Sequence, residues 1–119
     1  MTINFKDALG VHADALALRA ERTRVLASNI ANENTPGYTA RDIDFAAMMQ
    51  EQAEVSAGEP TLSTDEPLYR VPFHPSVDGN TVEIGVEQAA FSQNASDFQT
   101  SLTFINMKLR GLAKAIGGQ

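Results

Sequence analysis

Both ends of this chain repeat their apolar residues at alternating steps of four and three, which restricts it to folds that lay long helices against a partner along a narrow seam. In the N-terminal segment Phe5, Leu9, His12, Leu16, Arg19, Thr23, Leu26 and Ile30 keep the 3.5-residue period. In the C-terminal segment Ile84, Gln88, Phe91, Ala95, Phe98, Leu102, Ile105, Leu109, Leu112 and Ile116 hold the same register more cleanly. The spacing predicts a first helix from about Phe5 to about Asn32, with Asn4 as N-cap, Asp7 near the positive end of the dipole, and Ile3 and Ala8 at the spacing of a hydrophobic staple. Lys108, Arg110 and Lys114 complement the dipole at the end of the second helix, and Gly117-Gly118 stops it. Two interior glycines, Gly85 and Gly111, each cost about 1 kcal/mol relative to alanine. They suggest a late helix start at the first and a close helix contact at the second.

Between the helices lie all five prolines, from Pro36 to Pro75. The expected division is a single structural unit with residues 1–33 as the N-terminal helix, 34–82 as an irregular middle, and 83–119 as the C-terminal helix. One short helix is predicted in the middle from Asp44, an N-cap, through Phe45, Met48 and Met49 to Ala53, with strand fragments at Val71-Pro72-Phe73 or Thr81-Val82. The stretch from about Glu54 to about Asn80 is expected to be mobile in the lone subunit. The fold class is therefore mainly α, with the terminal helices pairing as a coiled-coil-like hairpin. A 28-residue helix is about 42 Å long, and Val11, Leu18, Val25 and Phe104 widen the apolar stripes beyond what one partner covers.

The run from Ser28 to Tyr38 is a helix terminus built to a fixed plan. Asn29 and Asn32 share a face, Pro36 pushes Thr35 out of the α region, and Pro36-Gly37 has the dihedral preferences of a type II turn, with Tyr38 as an aromatic anchor behind it.

Net charge is −6. From Glu33 to Asp97 twelve acidic residues face only Arg41 and Arg70, whereas the two ends carry seven basic and three acidic residues. This arrangement disfavours nucleic acid, because phosphate binding needs a concentrated basic surface and only Arg19, Arg22 and Arg24 cluster. It fits the solvated faces of a soluble protein or, as the sharper alternative, charge that helps set the register between neighbouring copies. The chain has no cysteine, so disulfides and thiolate metal sites are excluded. No stretch approaches the roughly 20 apolar residues of a membrane span, and the N-terminus has no secretory-signal pattern.

The sequence shows little catalytic chemistry. His12 lies on the seam and His74 has no neighbour at metal-ligand spacing, so no metal site is expected. Asp42 and Asp44 are read as turn and capping residues rather than as a catalytic pair. Asp78-Gly79-Asn80 opens like a calcium loop but lacks its later oxygen ligands, and is read as a turn. No catalytic residue, cofactor or small-molecule substrate is expected.

Ala27-Ser28-Asn29-Ile30-Ala31-Asn32, followed by Thr35-Pro36-Gly37-Tyr38, resembles the N-terminal signature of bacterial flagellar rod, hook and hook-associated proteins. Within that class four further stretches resemble the short rod proteins, most closely the proximal one: Phe5 to Gly10, Ala40 to Phe45, Asp78 to Val82, and the C-terminal helix from Gln99 to Leu112. The resemblance implies a structural subunit of the basal-body rod, made in the cytoplasm, exported by the flagellar type III apparatus without a cleaved signal, and polymerised in the periplasm through its terminal helices. Its implied partners are further copies, other rod proteins and the adaptor joining rod to membrane ring, with no nucleic acid and no membrane insertion. Packing roles then fall to Leu9, Leu16, Leu26, Ile30, Phe91, Phe98, Leu102, Ile105, Leu109 and Leu112. The turn falls to Asn29, Ile30, Asn32, Thr35, Pro36, Gly37 and Tyr38, and an export signal to Phe5, Ala8 and Leu9. The competing assignments are another short rod protein and, from a different class, a small coiled-coil adaptor or export chaperone, which would be a stable soluble dimer.

Overall fold

The computed structural model describes residues 5–56 and 68–118, and side chains within 9–55 and 68–118. Asn4 as N-cap and the Ile3–Ala8 staple lie outside the described residues, as do the side chains of Phe5 and Ala8.

Helix α1 runs from Phe5 to Ala31 and helix α3 from Ile84 to Ile116, packed antiparallel as a hairpin. At 1.5 Å per residue they are about 40 and 50 Å long, and they set the long dimension of a body measuring 64 × 33 × 18 Å. Helix α2, Phe45–Ser56, packs on α1 and starts where the capping pattern placed it: Asp44 Oδ1 accepts the Ala47 N–H at 3.2 Å.

The strands differ from the expectation. Arg41–Asp42 (β1) pairs antiparallel with Leu68–Tyr69 (β2), in the register Arg41 to Tyr69 and Asp42 to Leu68. Val71-Pro72-Phe73 forms no strand, because a proline has no N–H to give to a ladder. Nor does Thr81-Val82, although it lies alongside the chain leaving the corner. Thr81 N–H donates to Tyr38 O at 2.9 Å and Thr81 Oγ1 accepts the Ala40 N–H at 2.8 Å, while Arg70 N–H donates to Ala40 O at 2.9 Å. Ala40 is thus held on both its backbone groups, and it is fully buried. Of the stretch expected to be mobile, residues 57–67 lie outside the described ones; in the remainder the backbone of Arg70 and Asp78 and the side chain of Asn80 bond to the corner.

Val25, Leu26, Ala40 and Ile43 are the buried apolar residues among those described, and four polar residues, Asn29, Asn80, Glu87 and Asn94, are buried with them. With so small an apolar core, geometric definition rests on the polar contacts. Val25, read as surplus edge, is instead enclosed here, while Val11 and Phe104 stay exposed.

The seam of α3 also departs from its predicted register. Gln88 and Ala95 are exposed, and Glu87 and Asn94 face α1 in their place. Both registers share Ile84, Phe91 and Phe98 and differ only in whether the step between them is three or four. An apolar pattern favours Ala95, but the polar partners that α1 offers select Asn94. Gly85 does not delay the helix, which begins at Ile84, and nothing within 4 Å surrounds a Cβ placed at Gly111. The close contact expected there is absent from the described part of the chain.

Candidate functional site

Helix α1 ends in a corner assembled from four separate stretches of sequence. After Ala31 the chain tightens, with Glu33 N–H bonded to Ile30 O and Thr35 N–H to Asn32 O. Asn32 Nδ2 caps Ser28 O at 2.7 Å and its Oδ1 accepts from Thr35 Oγ1. The type II turn follows as predicted: Tyr38 N–H bonds to Thr35 O at 3.2 Å, and Gly37 takes φ +73°, which a residue with a Cβ adopts at a cost.

A second glycine turn locks the first. Gly79, at φ +78°, lies so close that a Cβ there would stand 3.6 Å from Gly37 Cα, and Gly37 N–H donates to Asp78 O at 2.9 Å. This turn delivers Asn80 to the end of α1, where its Nδ2 lies 2.8–3.0 Å from the carbonyls of Asn32, Glu33 and Thr35. These carbonyls belong to the turn just past Ala31, and a side chain some 45 residues further along binds them. Asn80 Oδ1 in turn accepts the Val82 N–H.

Asn29 does more than share a face with Asn32. Its amide grips Arg41 as a neighbouring strand would, Nδ2 donating to Arg41 O at 2.6 Å and Oδ1 accepting the Arg41 N–H at 3.0 Å. Nδ2 also donates to Glu87 Oε2 at 2.9 Å, and Tyr38 OH lies 3.4 Å from Oδ1. Glu87 is wholly buried and meets Arg70 through its other oxygen at 3.1 Å, an ion pair whose angle is poor for a hydrogen bond. Arg70 reaches on to Asp42 Oδ2 at 2.8 Å, and Asp42 accepts a two-pronged contact from Arg22, 2.9 Å at Oδ1 and 3.1 Å at Oδ2. One charged chain thus joins α1, β1, the residue after β2, and α3.

Asp42 corrects the turn reading. Its Oδ1 does accept the Ile43 N–H locally, but most of its contacts are long-range. Burial works to raise its carboxyl, and the hydrogen bonds from Arg22 and Ile43 with the charges of Arg22 and Arg70 outweigh this, leaving it below the usual range. The stability it contributes is present above the unfolded value of about 3.9 and is lost as pH falls through the lower folded value. Below about pH 4, therefore, the thermal midpoint of the wild type is expected to fall more steeply than that of Asp42→Asn, measured by circular dichroism. Parallel curves would remove Asp42 as the acid-sensitive link.

Away from the corner the hairpin register is fixed by a second polar contact. Asn94 Nδ2 donates to Arg19 O at 2.9 Å and Thr23 Oγ1 at 2.7 Å, and Arg19 pairs with Asp97 at 3.3 Å while stacking over Phe45 at 3.5 Å. Further out His12 stacks on Phe104 with ring centroids 6.2 Å apart. Of the residues assigned to packing, Leu26 is fully buried, Leu9, Leu16, Ile30, Phe91, Phe98, Leu102, Ile105 and Leu112 are half-buried, and Leu109 is exposed. Glu87, Asn94 and Arg70 were given no site role from sequence, and Asn80 was read only as part of a turn. For Glu87 and Asn94 the cue available was a polar residue beside a position that the helical period places inward; Arg70 and Asn80 lie outside the helices and offered none.

No group of His, Asp and Glu suited to hold a metal ion occurs among the described residues, and no described helix is long and apolar enough to cross a membrane. The structure joins two long, half-covered helices through a corner held by polar contacts. The sequence profile of the family described as "Flagella basal body rod protein" matches residues 9–39, which span most of α1 and the whole turn. The chain is 48% identical to the flagellar basal body rod protein FlgB of Cereibacter sphaeroides (strain ATCC 17029 / ATH 2.4.9), covering 97% of this chain and 98% of that one. It is 42% identical to FlgB of Aeromonas hydrophila, covering 100% and 99%, and 39% identical to FlgB of Salmonella typhimurium, covering 93% and 94%. The chain belongs to the FlgB family of flagellar basal body rod proteins.

Proposed function

We propose that this chain is a structural, non-catalytic subunit of the proximal flagellar rod, exported by the flagellar type III apparatus and polymerised through its terminal helices with further copies, other rod proteins and the adaptor at the membrane ring. The observation that carries this reading is the corner itself. The stretch that the rod-protein family matches ends at the turn where α1 gives way to the segment locked by Asn29 and Asn80. Half-buried helices with a small apolar core suit a chain that travels unfolded and orders when neighbours cover it, since binding then offsets the ordering entropy. Under this reading α1 and α3 are the shaft-forming elements, and Leu9, with Phe5 and Ala8, belongs to the exported leading end.

Replacing Pro36-Gly37 by Ala-Ala tests it. Gly37 at φ +73° makes alanine unfavourable by about 1–2 kcal/mol, so the corner is expected to loosen without affecting an unfolded chain in transit. Secretion of the variant should stay near normal while rod assembly and swimming fall severalfold. Normal swimming in the double variant would remove the corner from the assembly mechanism.

A further inference from the structure

We infer that the two ends of this subunit are complementary halves of a head-to-tail contact, in which the basic open end of α3 seats on the corner of a second copy, where Glu33 and Asp78 lie beside the apolar residues of loop 71–77. The inference rests on the rod-subunit reading and names a contact within it.

The open end of α3 is prepared for a partner. No acidic residue follows Asp97, and Lys108, Arg110 and Lys114 are exposed. Phe104, Met107 and Gly111 stand at helical spacing on one face, with Phe104 and Met107 50% and 61% exposed. Thr100, Phe104 and Met107 line a shallow groove. Gly111 is the least favourable residue short of proline for a helix interior, and a Cβ there would meet nothing within 4 Å in this chain. A close approach by another chain gives the missing side chain a reason.

The opposite end carries the matching features. Between Arg70 and Lys108 there is no lysine or arginine. Glu33 and Asp78, both exposed, line one open concavity with His74 and Pro75. Beside it Val71 and Phe73 are 83% and 77% exposed and Val77 fully so. This display is held rather than free: Phe73 N–H donates to Glu83 Oε1 at 2.7 Å, and Asp78 accepts from Ser76 Oγ and the Asn80 N–H. Loops rarely keep three large apolar side chains in water without a use for them.

The two patches lie at opposite ends of a 64 Å body and cannot meet within one chain. Joined between copies they make a heterologous contact, which propagates along an axis instead of closing into a dimer. Charge sets the polarity: basic on acidic is favourable, and end on like end repels.

The test uses the purified full chain in sedimentation velocity. One variant, Lys108→Gln with Lys114→Gln, spoils the open end, and another, Glu33→Gln with Phe73→Ser, spoils the corner. All four positions are exposed, and circular dichroism checks that each variant keeps its helices. The wild type is expected to form a concentration-dependent ladder of oligomers that weakens between about 0.05 and 0.5 M salt. Each variant alone should associate about tenfold or more weakly. Mixed together, the two variants should form a heterodimer that grows no further, because each supplies the half the other lacks. Overturning results are variants that associate like the wild type, a wild type still monomeric near about 1 mM, or binding of the basic end to phosphatidylserine vesicles without self-association. None of these touches the rod reading, whose corner is tested separately by secretion and swimming of the Pro36-Gly37 double variant.

Discussion

Glu87→Ala is expected to lower the unfolding free energy of the subunit by about 3 kcal/mol, the lower end of the range for removing one member of a buried pair. Glu87 is completely enclosed and serves both Asn29 and Arg70. Without it the Arg70 guanidinium keeps Asp42 on one side and loses its partner on the other, while Asn29 Nδ2 keeps Arg41 O. Those surviving contacts place the loss at the lower end of the range. In a small domain each kcal/mol moves the thermal midpoint by roughly 4 °C or more, so a drop of more than about 10 °C should be seen by circular dichroism. Glu87→Gln keeps an acceptor for Asn29 and removes only the charge, and is expected to cost less than half as much. A Glu87→Ala midpoint within about 2 °C of the wild type would show that the charged chain through Arg70 does not hold the corner to α3.

Much of the architecture was legible because it depends on local rules. The helix lengths follow from the 3.5-residue period, the start of α2 from Asp44, and the turn from Pro36-Gly37, each decided by residues within a few positions of one another. What was not legible depends on distant partners. Asn80 looked like an ordinary turn residue because the carbonyls it caps lie about 45 positions earlier in the chain. Glu87 and Asn94 looked like solvent-facing residues, since burying a carboxylate or an amide is unfavourable unless its bonds are supplied, and periodicity carries no information about who supplies them. The strands were misplaced for a related reason. A two-residue ladder has almost no pattern of its own, and β2 is set where Arg70 reaches Asp42 and Glu87 rather than by its own side chains, both of which are exposed.

Asn29 tests the corner from the other side. Asn29→Ala leaves three groups without partners: the N–H and C=O of Arg41 and one oxygen of Glu87. Each unsatisfied buried group costs about 1–3 kcal/mol, and partial access of water to Arg41 reduces the total, so a loss of about 3 kcal/mol is expected. Asn29 and Glu87 share a hydrogen bond, so the Asn29→Ala/Glu87→Ala double variant should fall short of the sum of the singles by roughly 0.5–2 kcal/mol. Asn29→Asp separates charge from shape. The new carboxylate still accepts the Arg41 N–H but faces the Glu87 carboxylate and the Arg41 carbonyl, which raises its folded-state pKa. A raised acid destabilises in full above its folded value, and the penalty is relieved as pH falls through that value toward the unfolded one. Between pH 7 and pH 5, above the range in which Asp42 loses its charge, Asn29→Asp should therefore regain stability while Asn29→Ala does not. Parallel behaviour of the two variants, or strictly additive losses in the double variant, would mean that the Asn29 amide does not join the turn to α3.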